Sequence, residues 1–156
     1  MPDMQQLPPL LGALGLACAF VIYLLLTRRP EGEGKVVKIA AAIHLGAMVF
    51  LQREYKMLAL FAAALIALLW YFLGGNTALA FLCGAGCSAL AGWLGMYAAT
   101  KANVRTTTAA HTQGAAAALS VAFYGGSIMG LCVASLGLLG LGSLYLVFGG
   151  DPETAH

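Results

Sequence analysis

The chain has 156 residues, 61% of them hydrophobic and only 9% charged, with a net charge of +2 and a mean hydropathy of +0.87. A soluble globule of this length carries roughly a quarter of its residues as charges, so the composition excludes one and makes lipid the solvent for most of the chain. The small net charge, with no basic stripe interleaved with aromatics, argues against a nucleic-acid partner.

Backbone amides in hydrocarbon must bond one another, which leaves helices or a closed barrel. Barrel strands alternate polar and apolar residues, whereas these runs are continuously apolar and rich in Ala, Leu and Gly. The expected fold is therefore all-α, a polytopic membrane protein of about four transmembrane helices.

The first apolar run, 7–26, has the roughly 20 residues of one span, and Pro8 and Pro9 suit its first turn. A cleaved signal peptide is the competing reading. The run has no basic segment before it and no evident cleavage site, and Arg28 and Arg29 follow it, which favours a retained span. The stretch 27–38, with Pro30, Gly32 and Gly34, reads as a loop outside the membrane.

From Val36 to Leu73 no breaker cluster intervenes. The first half is amphipathic, with Val36, Ile39, Ala40, Ile43, Ala47, Phe50 and Leu51 at helical spacing, and the second half is apolar and closes on Trp70 and Tyr71. One long helix is expected, extended from 36 and spanning over 55–73. The link Gly74, Gly75, Asn76 and Thr77 is turn chemistry.

The third span is expected over 78–99, where Gly84, Ser88 and Gly92 recur every four residues and set a face for close packing. The polar segment 100–113, with Lys101, Asn103, Arg105, a threonine run and His111, is expected to leave the membrane as a loop. The uncharged run that follows is read as one span over 121–148 with a helical lead-in at 115–119 and a close-approach pair at Gly126 and Gly130. A re-entrant break at Gly125 and Gly126 is the alternative, and Asp151 and Pro152 are expected to end the helix.

Of the eight basic residues, Arg28, Arg29, Lys35, Lys38, Lys101 and Arg105 fall in the segments 27–38 and 100–113, and Arg53 and Lys56, on the amphipathic half of the helix that extends from the first segment, are read as lying on the same side. The positive-inside rule makes those two segments cytoplasmic and, with four spans, puts both ends of this chain on the opposite side, where Asp3, Asp151 and Glu153 lie.

No residue emerges as catalytic, cofactor-binding or metal-binding. Cys83 and Cys87 share a helical face, but no His or further Cys stands at ligand spacing, so packing is the expected role. Glu54 is an acid near the bilayer, read as an interfacial ion-pair participant beside Arg53 and Lys56 in preference to a proton relay. His44 is read as solvated in preference to pH-sensing. For Arg105 the plain positive-inside bias is preferred to an anchoring role. Phosphate loops, nucleophile elbows and paired carboxylates are absent from the sequence.

Three runs carry a resemblance. GMYAATKANVRTT from Gly95 to Thr107, GAMVFLQREYK from Gly46 to Lys56 and AFYGGSIMGLCVASLGLLGL from Ala122 to Leu141 resemble, in order and position, the N-terminal region of membrane-integral pyrophosphatases. His44 and Leu45 depart from the more polar residues usual there. The resemblance implies a homodimeric ion pump that hydrolyses magnesium-bound pyrophosphate on the cytoplasmic face, in some members with potassium, and moves protons or sodium ions outward across the membrane, in a bacterium the inner one. It further implies that the first four helices are outer-ring scaffold, partnered by lipid and by the remaining helices, and that catalytic residues reside in later helices. The same conclusion follows from the residues alone, because gripping magnesium pyrophosphate takes converging carboxylates and no two acids converge here. A free-standing, non-catalytic membrane scaffold is the alternative function. A four-helix transporter fits less well, since no span has a buried charge or a proline-broken midpoint.

Overall fold

A computed structural model describes residues 6–149, which form four helices in the order α1 Leu7–Thr27, α2 Lys35–Leu73, α3 Gly75–Gln113 and α4 Ala115–Phe148. Each is long and apolar enough to cross a membrane. Asp3, the expected stop at Asp151 and Pro152, and Glu153 lie outside the described residues.

Prolines open α1, where the missing amide hydrogens would have had no partner. Its last turn is closed by the Arg28 amide donating to the Leu24 carbonyl, and the chain then turns through Gly32 and Gly34, both at positive φ. The loop is shorter than expected, because Lys35 already begins α2.

The two remaining connections are each one glycine. Gly74 (φ 91°, ψ 170°) joins α2 to α3, and Gly114 (φ 89°, ψ −178°) joins α3 to α4. That backbone region is essentially closed to residues with a Cβ. A lone glycine therefore reverses the chain where a longer turn, Gly74 to Thr77, was expected. Replacing Gly114 by Ala should lower stability by about 1–3 kcal/mol, the cost of such a conformation. Thermal unfolding of the purified chain followed by helical circular dichroism checks this.

The larger correction concerns 100–113, which is not a loop but the last third of α3. Threonines disfavour helix when their hydroxyls compete for the backbone, but here they are accommodated within it. Thr106, Thr107 and Thr112 donate to the carbonyls of Ala102, Asn103 and Thr108, one turn back. Burial of Ala102, Val104, Arg105 and Ala109 then holds the segment in place. At about 1.5 Å per residue, the helix carries on for roughly 20 Å past the apolar stretch.

The helices stand in a row, α1 on α4, α4 on α3 and α3 on α2, with slight contact between α1 and α3. Among the described residues α2 touches only α3, and none of its most apolar stretch is buried. An apolar helix left so bare belongs in lipid or against further helices.

The core is thin and built from small side chains, Ala19, Ala98, Ala102, Ala109 and Cys132 among them, with Leu26 as the one large side chain that is fully enclosed among the described residues. Small residues let backbones approach, which is how helices gain packing energy in lipid. The close approaches are not those the spacing predicts. Gly84, Gly126 and Gly130 face open space, and a Cβ on Gly92 would meet only the Tyr55 hydroxyl at 2.9 Å. The α3–α4 contact instead runs through Gly125, where an added Cβ would stand 2.5 Å from the Ala102 Cβ. In α1, a Cβ on Gly12 would stand 2.7 Å from the Ser135 carbonyl oxygen of α4. Helix α4 passes unbroken through Gly125 and Gly126, as the single-span reading has it.

Candidate functional site

The strongest concentration of polar contacts is at the basic end of the bundle, around Arg105. Helix α1 ends there, and its last carbonyls have no partner within the helix. Arg105 on α3 supplies the donors. Its Nε donates to the Arg29 carbonyl at 3.1 Å, Nη2 to the Thr27 carbonyl at 3.3 Å and Nη1 to the Lys101 carbonyl at 2.8 Å. Nη2 also pairs with Glu31 Oε1 at 2.8 Å.

Arg105 is only 5% exposed, so its role is that of an anchor, and the plain charge-bias reading is corrected. The planar fork satisfies acceptors in several directions at once, and its charge complements the negative end of the α1 dipole. Thr108 reinforces it by donating to the Glu31 carbonyl at 3.0 Å. Beneath the guanidinium lies a cavity of about 130 Å³, bounded by Arg29, Gln113, Ala117 and Ser120.

His44 is also corrected. It is half-buried between α2 and α3, with Nδ1 2.7 Å from Thr100 Oγ1 and its ring edge-on to Tyr97. The Thr100 hydroxyl donates to the Tyr97 carbonyl at 2.9 Å. With that single proton committed, His44 Nδ1 is the donor.

Glu54 makes no ion pair with Arg53 or Lys56 among the described residues; the ion pair found there is Arg105–Glu31. Residues one and two apart on a helix point away from each other, which is why sequence adjacency misleads. Glu54 instead lines a groove of about 1030 Å³ with Leu58, Phe81, Ser88, Met96 and Met129.

Cys83 and Cys87 are half-buried free thiols facing α4, and a Cβ on Gly140 would meet the Cys87 Sγ at 3.1 Å. No group of three or more His, Cys, Asp or Glu able to hold a metal ion occurs among the described residues. Glu31 is engaged by Arg105 and Glu54 lies apart in its own groove, so these two acids do not together form a magnesium site.

The carbonyl contacts of Arg105 had no sequence signal to betray them, since backbone acceptors look alike at every residue. The His44–Thr100 contact is hidden for a related reason: by its polarity 100–113 reads as a loop, which offers His44 no partner helix.

A row of four apolar helices, each long enough to cross a membrane and bound at one end by a buried arginine, defines a polytopic membrane segment. The profile of the family described as inorganic H+ pyrophosphatase matches residues 13–156, and the chain belongs to that family. It is 44% identical over 142 residues to the K+-insensitive pyrophosphate-energized proton pump 2 of Moorella thermoacetica, covering 89% of this chain and 20% of that protein. It is also 44% identical over 138 residues to the K+-stimulated pyrophosphate-energized sodium pump of Thermotoga maritima (88% and 19%). The K+-insensitive pyrophosphate-energized proton pump of Methanosarcina mazei is 40% identical over 144 residues (90% and 21%). The chain thus spans about a fifth of the length of the curated relatives it matches.

Proposed function

We propose that these four helices are the N-terminal, outer-ring scaffold of a homodimeric pump that couples hydrolysis of magnesium pyrophosphate to outward movement of protons or sodium ions. The observation that carries the reading is the match of about nine-tenths of this chain to one-fifth of relatives named as pyrophosphate-energized pumps. The basic end, with Arg105, faces the cytoplasm in this reading, as the charge asymmetry requires, and the membrane is the bacterial inner membrane. The bare α2 surface and the groove at Glu54 receive helices of the remaining pump. The magnesium ions are held outside this segment, which gathers no group of three or more possible metal ligands among its described residues.

The experiment compares two proteins in sealed vesicles. Any longer product that the coding DNA gives by reading on through His156 is expected to hydrolyse pyrophosphate with magnesium and to acidify or load the lumen. The 156-residue chain alone is expected to show no turnover. Hydrolysis by the short chain would overturn the scaffold assignment, and a stop codon directly after His156 would favour the free-standing scaffold.

A further inference from the structure

On the side of α3 away from Glu54, one face is ordered by polarity. Lys101, Tyr97 and Trp93 recur every four residues and so stack above one another over about 12 Å. Lys101 Nζ lies 6.0 Å from the Tyr97 ring centre, and Trp93 stacks on Tyr97 with centroids 5.7 Å apart. Helix α1 supplies the facing wall, with Tyr23 at the level of Tyr97 (centroids 6.4 Å apart) and Phe20 and Leu16 deeper. Between the walls is an apolar groove of about 440 Å³, floored by Ala98, Ile128 and Cys132.

Lys101 is half-buried one turn beyond Tyr97, which lines this groove, yet no carboxylate pairs with it among the described residues, since Glu31 is taken by Arg105 one turn above. An ammonium so placed favours an anion, and the groove below it favours hydrocarbon. Read downward, the sequence is cation, phenol, indole and aliphatic, which is the complement of phosphate, ester and acyl chain. Aromatic side chains also mark this level as the membrane interface.

We propose that the α1–α3 groove is a binding site for one anionic phospholipid, with its phosphate at Lys101 and an acyl chain laid along Tyr97, Trp93, Phe20 and Leu16. The site is independent of the pump assignment. It concerns the chain as it stands.

The chain has two tryptophans, and replacing Trp70 by Phe leaves Trp93 as the sole indole. This variant is reconstituted into vesicles of phosphatidylcholine and phosphatidylglycerol in which one lipid or the other carries brominated acyl chains. Brominated phosphatidylglycerol is expected to quench Trp93 at about one-fifth the mole fraction that brominated phosphatidylcholine needs, the preference one lysine near an anionic headgroup gives. Lys101→Gln should erase the preference, Lys101→Arg should keep it, and Arg28→Gln, a charge at the same end outside the groove, should leave it intact. Equal quenching by the two lipids, a preference that survives Lys101→Gln, or its equal loss in Arg28→Gln would each overturn the site. So would absence of quenching by either lipid, which would mean that protein covers the groove. Circular dichroism of each variant separates loss of binding from loss of fold.

Discussion

Replacing Arg105 by Gln is expected to lower the stability of the detergent-solubilised chain by about 2–4 kcal/mol. Charge-assisted hydrogen bonds contribute roughly 1.5–3 kcal/mol each, and leaving buried acceptors without a donor adds to the loss. The Glu31 arm of the contact contributes least, because its carboxylate is 41% exposed and water can replace the guanidinium there. The carbonyls of Thr27 and Arg29 contribute more, since nothing else among the contacts in the structure offers them a donor. Glu31→Gln should therefore cost well under half as much as Arg105→Gln, and Arg105→Lys should recover little, a point charge being unable to reach acceptors on several sides. Equilibrium unfolding in mixed detergent micelles measures all three. If Arg105→Gln proved as stable as the parent, the anchoring role would be wrong.

The second large effect is expected at a pair of neighbours. Gly125→Leu should destabilise the α3–α4 contact by about 1–3 kcal/mol or more, the usual cost of overpacking, because the Ala102 Cβ cannot rotate out of the way. Gly126→Leu, one residue on, enters open space and should change stability by less than about 0.5 kcal/mol in this chain. The same unfolding assay serves. Equal effects at both positions would mean that α4 is rotated from the orientation described. A loss at Gly126 confined to the longer protein would instead point to a further helix on that face.

These two cases also show what the sequence holds. Membrane helices were legible because lipid imposes a coarse rule, twenty apolar residues, and because Pro8, Pro9, Pro30 and Gly74 punctuate strongly. The family was legible because the runs at Gly46, Gly95 and Ala122 are distinctive, and the match over 13–156 agrees with them. Which of two adjacent glycines meets the neighbouring helix was not legible. That depends on helix rotation, set by the whole interface, and a spacing of four is blind to it. Nor was the helical state of 100–113, since threonine propensity argues against helix and only back-bonding plus burial against α1 and α4 reverses it. Arg105 was masked by its setting, where a positive charge needs no special explanation.

The lone-glycine reversals at Gly74 and Gly114 have a further implication for how such a segment can diverge. With no slack at either end, α3 acts as a ruler: inserting one residue between them turns everything beyond it by about 100° and advances it 1.5 Å. Arg105 would swing away from the end of α1, and the small side chains facing α4 would be exchanged for bulky ones. Point substitutions can accumulate along this helix while its residue count stays fixed, and tolerated length changes should be confined to the end of the α1–α2 loop past Glu31, beyond the groups that Arg105 and Thr108 hold.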